Sequence, residues 1–497
     1  MNLKAVQDDG QSDAEKWLQS DPDAEEVPAR KVYRALLLNP QSDCSRQFSR
    51  RFLMSRITLA GASVCDLPDE LEQWQDWVAA SARSVADDYR KYLQGRKGGA
   101  PRQYFSRRSQ ALSFITKVAP TKLVDGAWLY GVMEYWNDLR FQPLVATFLE
   151  ELGNGDPDRN HVLLYKKLLA EEGCDQLEEL DDSYYHQGAV QLALGYHASE
   201  FLPELIGYNL GYEQLPLHLL ITAHELDELD IDPYYFTLHI TIDNASTGHA
   251  QRAVQAVLDN LPADEGARER FLQRVRQGYT LNNLGAGSVD MIGAFDIEQE
   301  VIDILKRKSR FGLVHSDYCK IKGLTVNQWL VDSEQIPCFL AALIEEGWIK
   351  RDQDPRHSRF WQLLEGPKAK MFGVFSRREK DLIHEWIAGE WREKDQAAYR
   401  PGSVGGEAGR DENELHDTKW KWLTQRGACV PIRGNAIPTC PPESGDRETD
   451  AGRATTEKAS SPEMMRRLIA LMAPGRHHTP AGLRATRVFC SLCGHRD

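Results

Sequence analysis

From Lys31 to about residue 290, apolar residues recur three and four positions apart and almost never alternate with polar ones. A period near 3.6 marks one buried face of a helix, whereas a period of two would mark a strand. VYRALLL, FSRRFLMSRITLA and LEQWQDWVAASARSVADDYRKYL carry the helical period first. It returns in QALSFITKVAPTKLVDGAWLYGVMEYWNDLRFQPLVATFLEEL, where Pro120 and Pro143 are expected to separate one helix from the next. This part of the chain is therefore expected to be all-α.

The chain divides by composition. Residues 1–28 are acidic and polar and read as disordered; 31–100 form a helical extension, and 101–288 a helical core domain. Residues 289–398 read as a mostly helical accessory subdomain in which GWIKRDQDPRHSRFWQLL has the look of a short two-stranded ribbon. Residues 399–460, rich in Gly, Pro, Ser, Thr and charge, read as a flexible linker, and 461–497 as a last helix and tail. The basic GRKGGAPRQYFSRRS is expected to be a solvated loop, and HELDELDIDP a solvated helix end.

A net charge of −14 argues against a general nucleic-acid or anionic-membrane binder, and no apolar run is long enough to span a bilayer. The N-terminus lacks the layout of a signal peptide, and nine dispersed cysteines read as free thiols in a reducing cytoplasm. Cys490 and Cys493, in CSLCGHRD, are at most half of a zinc site, a weak signal, since the other two ligands would have to be Cys429 and Cys440 or His477 and His478. GNGDP lacks the Lys-Ser/Thr of a phosphate-binding loop.

The densest chemistry lies in YYFTLHITIDNASTGH, residues 234–249. His239 and Asp243 are four apart, one turn of a helix, among apolar neighbours. A hydrogen-bonded pair would explain their burial; so would a cation, which offsets the cost of burying a carboxylate. His249 would join the same face only through a distortion of the helix, for which Gly248 or a π-bulge is available. Upstream, Gly153, Gly155 and Pro157 forbid one regular helix, so that Glu151 ends one helical segment, and Asp156 or Asp158 is expected to cap a new one that runs through His161 to Leu169, with His161 opening its face. Gly207 and Gly211, four apart, allow one helix face to approach a neighbour closely, with Glu204 and Glu213 in the same segment.

A dinuclear iron site in a helical bundle needs carboxylates and imidazoles projecting from several helices. Glu151, His161, Glu213, His239, Asp243 and His249 provide three of each. With DGAWLYG, ELGNGDPDRNH, FLPELIGYNLGYE and FTLHITIDNASTGH in this order, the sequence resembles the iron-containing redox enzymes of the haem-oxygenase-like fold, the haem-oxygenase-like diiron oxidases. The resemblance implies a haem-oxygenase-like helical bundle, those six residues as ligands of two Fe(II) ions per chain, and O2 as co-substrate. It further implies oxidation of a small amine-, amino-acid- or fatty-acid-like molecule, by N-oxygenation, desaturation or C–C cleavage, with an external electron donor. Trp128, Tyr130, Tyr208, Tyr212 and Tyr235 are the expected pocket wall. A homodimer is one option for the assembly. The competing reading is a non-redox binding or hydrolytic protein of the same fold.

Overall fold

The computed structural model describes residues 27–175, 177, 180–242, 248–309, 320–365, 369–371, 373–391 and 462–494. The expectations for residues 1–26 and for the 399–460 linker, with Asp243, Cys429, Cys440 and His495, lie outside the described residues. Residues 1–391 and 465–497 form one compact unit and 392–464 another. Of the second, only 462–464 are among the described residues.

The chain opens with α1 (Ala29–Leu38), α2 (Asp43–Ala60), α3 (Trp74–Lys97) and α4 (Arg108–Lys122). Ser42 caps α2 by accepting from the amide of Ser45. Pro120 does not end α4, as the sequence suggested, but lies inside its last turn. After a run of 3₁₀ turns, Ala127–Tyr135, come α5 (Gln142–Glu151), α6 (His161–Glu171), α7 (His186–Tyr196), α8 (Leu202–Tyr212) and α9 (Leu217–Glu228). Pro143 stands in the first turn of α5, where its missing N–H costs nothing. Next are α10 (Tyr234–Ile242), α11 (His249–Asp259), α12 (Glu265–Thr280) and the short α13 (Ser288–Gly293).

These helices build two adjoining cores. One is filled by α1, α2, α5, α7, α8, α11 and α12, with Trp74, Trp128 and Tyr208 among its buried side chains. The other is filled by α4, α6, α9, α10 and α13 around Phe105, Tyr165 and Phe236. The glycines of α8 make the close approach expected of them: a Cβ on Gly207 would fall 1.9 Å from the carbonyl oxygen of Val275 on α12. Gly278 returns the contact, with Glu204 O 2.0 Å from where its Cβ would be. The bundle fold is all-α and haem-oxygenase-like.

The following segment has its own core of Trp329, Phe339, Trp361 and Trp386. It comprises α14 (Ile297–Ser309), strands β1 (Lys320–Ile321) and β2 (Leu324–Thr325), then α15 (Val326–Leu330), α16 (Ile336–Glu345), α17 (Arg359–Leu364) and α18 (Arg377–Ala388). The ribbon anticipated at residues 347–364 is absent there, because Phe360, Trp361 and Leu364 are all buried on one side of α17. The paired strands are β1 and β2, with Lys320 opposite Thr325. Glu300 holds this segment to α4, 2.8 Å from Ser113 Oγ and 3.1 Å from Lys117 Nζ.

Two segments read as solvated are so only in part: residues 97–101, Asp230 and Asp232 are exposed, but other residues are not. Glu225 is fully buried, and its carboxylate accepts from the amides of Tyr104 at 2.9 Å and Phe105 at 2.8 Å, from the Gln103 amide, and from Tyr92 OH at 2.8 Å. A carboxylate with four donors is satisfied without water, so at Glu225 the acidic helix end and the basic loop are solvated by each other. The chain closes with α19 (Pro462–Leu471) and α20 (Pro480–Cys493). No described helix is long and apolar enough to cross a membrane.

Candidate metal centre

The ligand candidates sit at the seam between the two cores, and most of them at helix ends. Glu151 is the last residue of α5, His161 the first of α6, Glu213 the residue that follows α8, and His249 the first of α11. His239 lies within α10. The loop from Glu151 to His161 turns tightly through Gly153, Asn154 and Gly155, all with positive φ. This is why the two residues are nine intervening positions apart yet touch: His161 Nδ1 is 2.5 Å from Glu151 Oε2. His249 arrives not by distortion of α10 but on a new helix, with Gly248 as N-cap.

Asp125, a buried residue that the sequence reading left unassigned, completes the arrangement. Its Oδ1 accepts from Tyr212 OH at 2.9 Å, and its Oδ2 accepts from Tyr235 OH. The same Oδ2 lies 3.3 Å from His239 Nε2 and 3.9 Å from His161 Nδ1. Gly126, at φ 80, allows this approach, since a Cβ there would stand 2.8 Å from the Cβ of Glu151. The signal in the sequence was an acid between Val124 and Gly126 in an apolar stretch.

The side chains fall into two groups whose ligand atoms lie within 4.8 Å of one another: Asp125, Glu151, His161 and His239, and Glu151, Glu213 and His249. Glu151 belongs to both. Asp243 lies outside the described residues. The Cys490–Cys493 pair joins no such group among the described residues. Glu204 is turned away, bound to Arg274 at 2.6 Å.

The hydrogen bonding around the groups is one-sided. Glu213 Oε1, Nε2 of His161 and Nε2 of His239 are buried without a hydrogen-bond partner among the described residues, and the close approach of His161 Nδ1 to Glu151 Oε2 lacks the alignment of a hydrogen bond. His239 Nδ1 donates to the Tyr235 carbonyl at 2.8 Å, which orients the ring and turns Nε2 toward Asp125. His249 has carboxylate oxygens 2.7 Å from each nitrogen, Glu150 at Nε2 and Glu213 at Nδ1. A neutral imidazole has one N–H, so the second contact is repulsive unless a proton or cation intervenes.

The electrostatics point the same way. Burial, with Asp125 and Glu213 close by, pushes the Glu151 carboxyl well above its usual range. Burial opposes ionisation of Asp125 too, but Lys122, His239 and His161 hold its carboxyl below the usual range. Burial takes His161 down to about 4, so that it offers lone pairs rather than positive charge. Clustered carboxylates and imidazoles are the donor set of a hard or borderline cation, and the residues present fit bound iron.

Of the expected pocket wall, Trp128, Tyr208 and Tyr212 pack on one another, with Trp128 and Tyr212 ring centres 4.5 Å apart. Tyr212 and Tyr235 also serve Asp125, and Tyr130 packs against Tyr196. No curated protein and no solved structure gives a match to the chain. Residues 112–283, which include Asp125, Glu151, His161, Glu213, His239 and His249, match the model of a family described as iron-containing redox enzyme.

Proposed function

We propose that this chain is a non-haem dinuclear iron oxygenase or oxidase. It would use O2 and electrons from an external donor to oxidise a small amine-, amino-acid- or fatty-acid-like substrate. One observation carries the reading: the carboxylate of Glu151 is shared by two groups of candidate ligands. A carboxylate has two oxygens and can serve two cations at once.

Asp125, Glu151, His161 and His239 would hold one iron, and Glu151, Glu213 and His249 the other, with Asp243 added by resemblance. The three described carboxylates reduce the charge of two Fe(II) ions to +1, and Asp243 would bring it to zero. Iron supplies the redox chemistry by which O2 is reduced. The chain's own contribution is orientation and dryness. Arg252 holds Glu150 at 2.6 Å, and Glu150 receives the outer nitrogen of His249, so the inner nitrogen points at Glu213. Tyr235 fixes His239 through its carbonyl and Asp125 through its hydroxyl. Buried aromatic side chains exclude water, which strengthens every charge interaction inside.

The test is made on anaerobically purified protein. Ferrous iron is added, bound metal is counted, and the loaded protein is mixed with O2 while the visible spectrum is followed. Close to two irons per chain and a transient visible band would support the reading. No bound iron and no transient would replace it with a non-redox helical binding protein.

A further inference from the structure

The loop that joins Glu151 to His161 is held from outside by the last helices of the chain. Asn160, fully buried, is the N-cap of α6: its Oδ1 accepts from the Leu163 amide at 3.0 Å. That bond orients the side-chain amide and leaves its two N–H groups to be placed. One donates to the Leu152 carbonyl at 3.1 Å, next to Glu151. The other points at Nδ1 of His477, also 3.1 Å away and 317 positions along the chain. For Asn160 to donate there, His477 must be neutral with its lone pair on Nδ1. Burial of this side chain, only 2% exposed, favours the neutral ring.

The contact is not isolated. A Cβ on Gly155 would meet the Leu483 carbonyl oxygen at 2.5 Å, so α20 lies directly against the loop. Gly482 in turn leaves no room between α20 and the backbone of Arg476 and His477. Lys166 of α6 lies 2.7 Å from His478 Nε2. The C-terminal turn therefore touches the first helix turn behind His161 and the loop behind Glu151 together.

We propose that His477 is a positioning residue for the metal centre: through Asn160 it fixes the spacing between Glu151, where α5 ends, and His161, where α6 begins. The inference rests on the dinuclear reading above. It makes the C-terminal segment part of the site although it supplies no ligand. Partners that orient metal ligands are worth about 10- to 100-fold in metal affinity, and His477 acts at one further remove.

The experiment compares His477→Leu, which removes the acceptor, with His477→Asn, whose Oδ1 can take the place of Nδ1. Full-length protein is titrated anaerobically with Co(II), followed by its visible absorption, and thermal unfolding of the metal-free forms is recorded by circular dichroism. His477→Leu is expected to bind Co(II) about tenfold more weakly, and His477→Asn to recover most of that loss, while the two unfold at similar temperatures. Co(II) binding by His477→Leu equal to that of the unaltered chain overturns the proposal. So does an equal loss in both variants, which would make the contact one of packing alone. Should His477→Leu not fold, His477→Gln replaces it, its acceptor sitting one methylene too far out. An unaltered chain that binds neither Co(II) nor Fe(II) overturns the dinuclear reading, and the positioning role with it.

Discussion

Glu150 Oε2 lies 2.7 Å from His249 Nε2, on the side of the ring away from Glu213 and Glu151. Burial opposes its ionisation, yet His249 and Arg252 hold the carboxyl down at about 2. It is thus a charged group whose task is to take the outer N–H of His249 and to make the inner nitrogen more basic. Glu150→Gln keeps the size and removes the charge. It should weaken metal binding by about tenfold or more, read by anaerobic Co(II) titration, with helix content unchanged. Unaltered affinity would mean that His249 needs no orienting partner.

Gly126→Ala should damage both fold and site. At φ 80 a side chain is strained, a cost of about 1–3 kcal/mol. The added Cβ would also press on Glu151 from 2.8 Å. The expected result is a lower urea midpoint together with reduced metal loading. A loss of stability alone would show that Glu151 relaxes back into place.

Glu225 gives a contrasting case. Its carboxylate is spent on the backbone of residues 103–105 and on Tyr92, and it belongs to neither ligand group. Glu225→Gln puts an amide N–H where an acceptor is needed, which should cost about 1–3 kcal/mol of stability by urea unfolding. Metal stoichiometry should not change. A fall in bound metal would tie the 103–105 loop to the site.

What was legible in the sequence follows from the range of the forces involved. Glu151 as a helix end could be read from Gly153, Gly155 and Pro157, because chain reversal is local chemistry, but the cap of the next helix is Asn160 and not Asp156 or Asp158, since several capping residues stand in a row there. The close approach at Gly207 was legible for the same reason: a missing side chain on an apolar face has few other uses. Asp125 was not, since its burial is justified by the hydroxyls of Tyr212 and Tyr235, 87 and 110 positions away. Glu225 was misread because backbone amides leave no pattern in a sequence, so an acidic run looks solvated. His477 enters the sequence reading only as a zinc ligand, and its observed partner, Asn160, is a helix cap of an ordinary kind.

His477 also sets a dependence on pH. Its folded value is pushed down to about 3, chiefly by burial and then by His478 and Lys166, against an unfolded value of about 6.5. Above pH 6.5 neither state holds the proton, and the stability that the neutral ring allows is fully present. As pH falls from 6.5 toward 3, only the unfolded chain takes the proton, so stability is lost by up to about 1.4 kcal/mol per pH unit. Urea unfolding of the metal-free protein at pH 7, 6 and 5 should show this slope added to that of His161, His218 and His478, which burial also lowers, and His477→Asn should reduce the total by up to about 1.4 kcal/mol per pH unit. Equal slopes would mean that the folded protein accepts the proton as readily as the unfolded one.

Glu151 brings stability and metal binding into opposition. In the metal-free protein it is a buried carboxyl pushed upward by burial and by Asp125 and Glu213, and the close approach of His161 Nδ1 to its Oε2 lacks the alignment of a hydrogen bond. Such a group is a burden on the fold that a bound cation would lift. Glu151→Gln removes the ionisable carboxyl at constant size. Unfolding of the metal-free variant should therefore occur at the same temperature as the unaltered chain or above it. Metal binding stabilises a fold by RT ln(1 + [L]/Kd), about 2.7 kcal/mol at a hundredfold excess over Kd. The unaltered chain should show a clear rise in Tm on adding Fe(II), and Glu151→Gln should show little or none. A metal-free variant that is markedly less stable would make Glu151 an element of the fold. A variant that keeps the full rise with Fe(II) would mean that its carboxylate is not shared by two cations.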